Sequence, residues 1–123
     1  MTIQEAIERT DSLMHNVYSR DDKISWLSRL DMEVKQQIVD THEGGKVGYF
    51  GGYSRSSPEM LVLLVPAPYD EMYLRYLEAQ IHYHNGEYDK YNNAMAMFQT
   101  IYEGFANYYR RTHMPKRTAM KYF

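Results

Sequence analysis

The chain has no cysteine in its 123 residues. That excludes a disulfide scaffold, every thiolate metal site and a cysteine nucleophile. It also has no long apolar run. The longest, Met60 to Val65, is six residues, far short of the roughly 20 that span a bilayer as a helix. The opening Met1-Thr2-Ile3-Gln4-Glu5 lacks a basic stretch followed by an apolar one, so no secretory leader is expected and the protein should be intracellular and soluble. No Gly-x-Ser-x-Gly turn is present. Gly45-Lys46 is followed by Val47, where a phosphate loop requires Ser or Thr.

What remains is an ordinary globular composition with an unusual aromatic share. Hydrophobic residues make up 44% and charged residues 24%, enough apolar surface for one domain with a real core. There are 13 Tyr, 4 Phe and 1 Trp beside 9 Met. Tyrosine sits comfortably half in a core and half in water and is enriched where proteins meet. The net charge of −2 is unevenly spread. Before position 110 nine basic residues face sixteen acidic ones, a net −7, whereas 110–123 carry five basic residues and no acidic one. The whole chain therefore does not resemble a general nucleic-acid binder, and its basic end is the part suited to a negative partner.

Helical periodicity dominates. Thr2-Ile3-Gln4-Glu5 is a capping box, and Ile3, Ala6, Ile7, Thr10 and Met14 follow at helical spacing. Asn16 to Ser19 breaks the pattern. Ser19-Arg20-Asp21-Asp22 starts a second helix, with Ile24, Leu27, Val34 and Ile38 on one face and Trp26 and Leu30 at its edge. Residues 44–58 hold five of the seven glycines, which reads as a loop or a short β-hairpin. Periodicity leaves open whether the run 60–65 is a short buried strand or part of the loop. Pro66-Ala67-Pro68 stops it and leads into a third helix carrying Tyr73, Leu74, Leu77 and Ile81, which Asn85-Gly86 terminates. In the last helix Tyr88, Tyr91, Met95, Phe98, Tyr102, Phe105 and Tyr109 recur at 3-4 spacing, with Ala94, Ile101 and Tyr108 widening the stripe.

The fold expected is mainly α: a small helical bundle whose long C-terminal helix forms an αα-hairpin, with a Gly-rich loop and room for a short β-hairpin in the middle. Helices are expected at about 3–15, 20–42, 68–84 and 87–113, with a loop over 43–66. Residues 1–114 then form a single helical domain and 115–123 a basic flexible tail. The last helix is long for so small a domain. Core packing accounts for most of its stripe, and Tyr88, Tyr91, Tyr102 and Tyr109 are the candidates for burial in an oligomer.

No catalytic site emerges. His82 and His84, two apart on a helix, point to different sides. Glu78 and His82 share a face and could supply two metal ligands, but no third lies near in sequence. His15, His42 and His113 stand near helix ends, where imidazoles meet carbonyls. Asp21-Asp22 and Asp70-Glu71 lie at helix starts and are explained by the helix dipole. Neither metal nor cofactor is expected. The candidate partner-binding residues are those of the basic, aromatic end: Arg110, Arg111, Lys116, Arg117, Lys121, Tyr122 and Phe123.

Several stretches carry a resemblance. They are Thr2-Ile3-Gln4-Glu5-Ala6-Ile7, Lys23 to Asp31, Leu64-Val65-Pro66-Ala67-Pro68-Tyr69-Asp70-Glu71, Tyr76 to Ile81, Tyr91-Asn92-Asn93-Ala94-Met95 and Arg111 to Pro115. Together they resemble the head-tail connector (head completion, adaptor) proteins of siphophage-type tailed phages and prophages, over most of the chain except residues 44–60. That resemblance implies a non-enzymatic virion subunit that assembles as a ring between the portal protein and the tail-completion protein. DNA passes through such a ring without sequence-specific recognition. It implies no membrane, and a location in the bacterial host cytoplasm during assembly and then in the virion. The competing expectation is a small nucleic-acid-binding or regulatory module that uses the basic C-terminal tail.

Overall fold

A computed structural model describes residues 1–41 and 51–113. Four α-helices follow in order: α1 (Ile3–Leu13), α2 (Arg20–Val34), α3 (Glu71–His84) and α4 (Tyr88–Thr112). The C-terminal end of α2 continues as one π-helical turn, Lys35–Val39. No helix among the described residues is long and apolar enough to cross a membrane.

The helix starts follow their local chemistry. Thr2 caps α1 by accepting from the Glu5 N–H (3.1 Å), and the Glu5 carboxylate returns a bond to the Thr2 N–H (3.3 Å). Ser19 caps α2 by accepting from the Asp22 N–H (3.1 Å). At the end of α3, Gly86 takes a positive φ of 78°, and the Glu87 N–H reaches back to the His82 carbonyl (2.9 Å). A side chain at that φ is strained, so glycine sets the tight α3–α4 turn.

Three helix bounds differ from the sequence expectation. The first helix ends at Leu13, because Asn16 turns back to bond the Met14 carbonyl and the Asp11 carboxylate. The second leaves the α geometry at Val34 and ends at Val39, where Lys35 pairs with Asp40 (2.9 Å). The third begins at Glu71 rather than near 68. Residues 66–70 are instead spent in a turn closed by the Tyr69 N–H on the Pro66 carbonyl (3.0 Å), which lays the Tyr69 ring over Phe105. Asp70 occupies the cap position, but its side chain makes no capping bond: the carboxylate lies 3.6 Å from the N-terminal ammonium, and Glu71 is taken by Arg9 (3.2 Å).

The middle of the chain also departs from expectation. Among the described residues there is no β-hairpin, and the run 60–65 is not a buried strand: Met60, Leu61 and Val62 are exposed, and only Leu63 and Val65 are buried. The segment pairs with the N-terminus, through an antiparallel bridge between Thr2 and Val62 and bonds from the Ile3 N–H to the Leu61 carbonyl (3.0 Å) and from the Leu63 N–H to the Met1 carbonyl (2.9 Å). The described part of the glycine-rich stretch, 51–58, is anchored rather than loose. Gly52, at φ 91°, brings its backbone so close to α2 that a Cβ would collide with the Ser28 hydroxyl, to which the Tyr53 N–H donates (2.9 Å).

One core joins all these parts. Met72, Tyr73, Leu77 and Ile81 of α3 are fully buried at its centre, between α1 and α2 on one side and α4 on the other. Leu30, placed at the edge of α2 by periodicity, is fully buried. The core face of α2, spaced 24-27-31-34-38, contains a carboxylate. Asp31 is fully buried and accepts from the Tyr73 hydroxyl (2.6 Å), the Leu64 N–H (3.1 Å) and the Tyr53 hydroxyl. The Tyr73 hydroxyl in turn accepts from the Val65 N–H (2.8 Å). Thus one side chain ties α2 to α3 and to both extended segments between them.

Burial pushes the Asp31 carboxyl above the usual carboxylate range, and its three hydrogen bonds pull downward without reversing the shift. Burial and the neighbouring carboxylate push both tyrosines upward. Asp31→Ala should cost about 3 kcal/mol in urea unfolding, because three buried donors lose their acceptor. The sign of the pH dependence follows from the raised folded-state pKa. The contribution of Asp31 is fully present below its unfolded pKa and is lost as the pH rises through the folded one. Wild-type stability measured relative to Asp31→Asn should therefore fall as the pH rises from the acid side, and a difference independent of pH would refute the raised pKa.

Candidate interaction surface

Could the buried polar groups do chemistry? Asp31 is sealed from solvent and every donor around it is fixed to backbone or tyrosine, so no substrate reaches it. It is a structural carboxylate. The periodicity of α2 was the signal that could have singled it out, since an acid at position 31 interrupts an otherwise apolar face.

The His82 neighbourhood is the second candidate. His82 is buried, and its ring nitrogens lie 3.9 Å from Glu78 and 3.2 Å from Glu87. Both carboxylates already have cations: Glu78 pairs with Arg75 (3.2 Å) and Glu87 with Lys90 (3.0 Å). No cluster of three metal-ligating side chains occurs among the described residues. His84, two positions on, faces the other way as expected and stacks on Trp26 (centroids 5.3 Å apart, planes 9° apart). Tyr18 meets the Trp26 edge and donates to Asn85 (2.7 Å), which fastens the α1–α2 connection to the end of α3. At the other end of α4, His113 stacks on Tyr109 (3.8 Å), and its ring Nδ1 lies 3.2 Å from the Tyr109 carbonyl. His15 is exposed, and His42 lies outside the described residues.

A groove of about 370 Å³ lies between α2 and α4. Its walls are Arg29, Glu33 and Gln37 from α2 and Tyr91, Met95 and Tyr102 from α4, and α3 supplies the floor through Tyr76 and Gln80. The Tyr102 hydroxyl donates to Gln37 (2.7 Å) across one end. Burial, with the Glu33 charge nearby, raises the pKa of both Tyr76 and Tyr102.

The four tyrosines proposed for an oligomer interface thus separate. Tyr91 and Tyr102 line the groove, half-buried, and Tyr88 is 60% exposed with its ring against Tyr83 (5.8 Å). Tyr109 is only 8% exposed and belongs to the chain's own core, packed on Phe105. Its burial therefore needs no second subunit, which corrects the expectation for that residue. Of the basic end, Arg110 and Arg111 project from the last turn of α4 into solvent. Lys116, Arg117, Lys121, Tyr122 and Phe123 lie outside the described residues. Comparison with protein-family models, curated proteins and solved structures finds no significant match.

The α3–α4 turn makes a pH prediction. Hydrogen bonds from Lys90, His82 and Asn85 hold the Glu87 carboxyl down to about 2. A depressed folded-state pKa gives stability that is present above the unfolded value and lost as the pH falls toward the folded one. Wild type should lose more stability than Glu87→Gln on acidification from pH 4.5 to about 2. Thermal melts of the two proteins across that window check this, and parallel curves would count against it.

Proposed function

We propose that this chain is a structural subunit, a head-tail connector that joins a portal protein to the tail-completion protein in a ring around the DNA channel. The observation that carries this reading is where the resembling stretches lie in the fold. Lys23 to Asp31, Leu64 to Glu71 and Thr2 to Ile7 meet around the Asp31 hydrogen bonds, the Asp70 ion pair and the Thr2–Val62 bridge. The residues that carry the likeness are thus largely those that define the fold, rather than a scatter over the surface. The surface chemistry agrees: half-buried tyrosines line a groove, and cationic side chains end α4 and continue into a basic terminus.

In this reading the body assembles with copies of itself, and the segment from Arg110 to Phe123 contacts the portal. The DNA within the ring is accommodated without sequence readout, since only nine basic residues face sixteen acidic ones before position 110. The protein would be made in the bacterial host cytoplasm and end in the virion, and it performs no catalysis.

Light scattering of the purified protein, alone and with the portal protein encoded beside it, tests the proposal. A large complex should form only with portal. Deletion of residues 115–123, or Arg110→Glu with Arg111→Glu, should abolish it while leaving the helical circular dichroism unchanged. A chain that ignores portal but binds short duplex DNA with a steep salt dependence would replace this reading with that of a nucleic-acid-binding module.

A further inference from the structure

The outer face of α4, turned away from α3, has an unusual composition. Only one of the nine exposed residues between Tyr91 and Tyr109 is charged, Glu103, although the chain average of 24% would put about two there. The other exposed positions are Asn92, Asn93, Ala96, Met97, Gln99, Thr100, Asn107 and Tyr108. Depletion of charge is the compositional mark of the centre of a protein interface, and a solvated helix face normally carries both signs. At the two ends of this face the charges return with opposite sign. Asp89 stands in the first turn and Arg111 in the last, both exposed, and neither has an ion-pair partner among the described residues.

These residues have a self-complementary arrangement. Asp89 and Arg111 are equidistant from Thr100, as are Asn93 and Asn107, and Ala96 and Gly104. Two α4 helices laid antiparallel with Thr100 on the axis therefore place Asp89 against Arg111 twice, at the two ends of a contact about 33 Å long. Asn93 then meets Asn107, whose amide N–H groups can donate to it while the Asn107 oxygen accepts from Arg110. Small side chains at 96 and 100 let the backbones approach to the near end of the usual interaxial range of roughly 8–10 Å, while Gly104 is half-buried beside the Tyr69 ring. A two-fold axis at Thr100 sets Thr100 against its own copy and Glu103 against Met97 of the second chain, so no like charges meet at the middle and a second copy of this chain suits the face. A nucleic acid or a strongly charged protein partner would require charge there.

We propose that two copies of this chain pair antiparallel along the outer face of α4, about a two-fold axis at Thr100. The pairing does not rest on the connector reading, because it needs no portal; Arg111 is common to both, whereas Thr100 and Asp89 belong to the pairing alone.

Sedimentation velocity over a wide concentration range tests it. Wild type should pass from monomer to dimer, and Thr100→Arg, which sets two like charges on the axis, should remain monomeric with unchanged helical circular dichroism. Asp89→Lys and Arg111→Glu should each weaken the dimer by about tenfold, and the double charge reversal should restore it. Since the chain has no cysteine, Thr100→Cys should form an intermolecular disulfide under mild oxidation much faster than Ser12→Cys on the exposed side of α1. A wild type that stays monomeric throughout overturns the proposal. So does a dimer or ring that Thr100→Arg leaves intact, or a double reversal that fails to rescue. Portal binding of each variant is read separately, so failure of the dimer and failure of the connector reading are distinguishable.

Discussion

A carboxylate in an apolar core destabilises a protein unless the groups around it are arranged for it, and that requirement organises this chain. Asp31 takes hydrogen bonds from a tyrosine on α3, a tyrosine beyond the glycine-rich stretch and the backbone at Leu64. Each donor comes from a different part of the sequence, and each is buried or half-buried. An apolar residue at 31 could pack against α3, but it could not specify where the backbone at 64–65 runs. A hydrogen-bonded carboxylate can, since the cost of an unmade bond in the core penalises every other arrangement. The position of the extended segment then sets the N-terminal bridge at Thr2, and with it the seat of α1.

Much of this helical architecture was legible in the sequence, for definite reasons. The capping box at Thr2 to Glu5, the Ser19 cap and the Asn85-Gly86 stop are local signals that depend on a few adjacent residues, and local signals survive folding. The bounds of α4 were read to within a residue because its 3-4 repeat is long and ends near a proline. The middle of the chain was not legible. Residues 60–65 look like a strand by composition, yet their environment is fixed by Met1 to Gln4 and by Asp31, which lie far away in sequence. The same limit applied to Tyr109: periodicity placed it on the stripe, but only packing shows which members of a stripe the rest of the chain covers.

The surface was partly legible. Tyrosine content pointed to half-buried aromatics, and Tyr91 and Tyr102 do line the groove between α2 and α4. What pattern alone missed is that α4 has two faces of interest. One is aromatic and turned toward the core and the groove. The other carries a single charge between Tyr91 and Tyr109, Glu103, and is turned outward. A search for apolar stripes finds only the first, because the second is marked by the charges it lacks.

The close approach of Gly52 to α2 has an evolutionary consequence. Gly52 is pressed against Ser28, and Tyr53 is tied to Asp31. A Cβ at position 52 would collide with the Ser28 hydroxyl, and a φ of 91° strains any L side chain. Substitution at 52 is therefore closed to the chain unless position 28 changes with it, so these two positions, 24 residues apart in sequence, are bound to evolve as a pair.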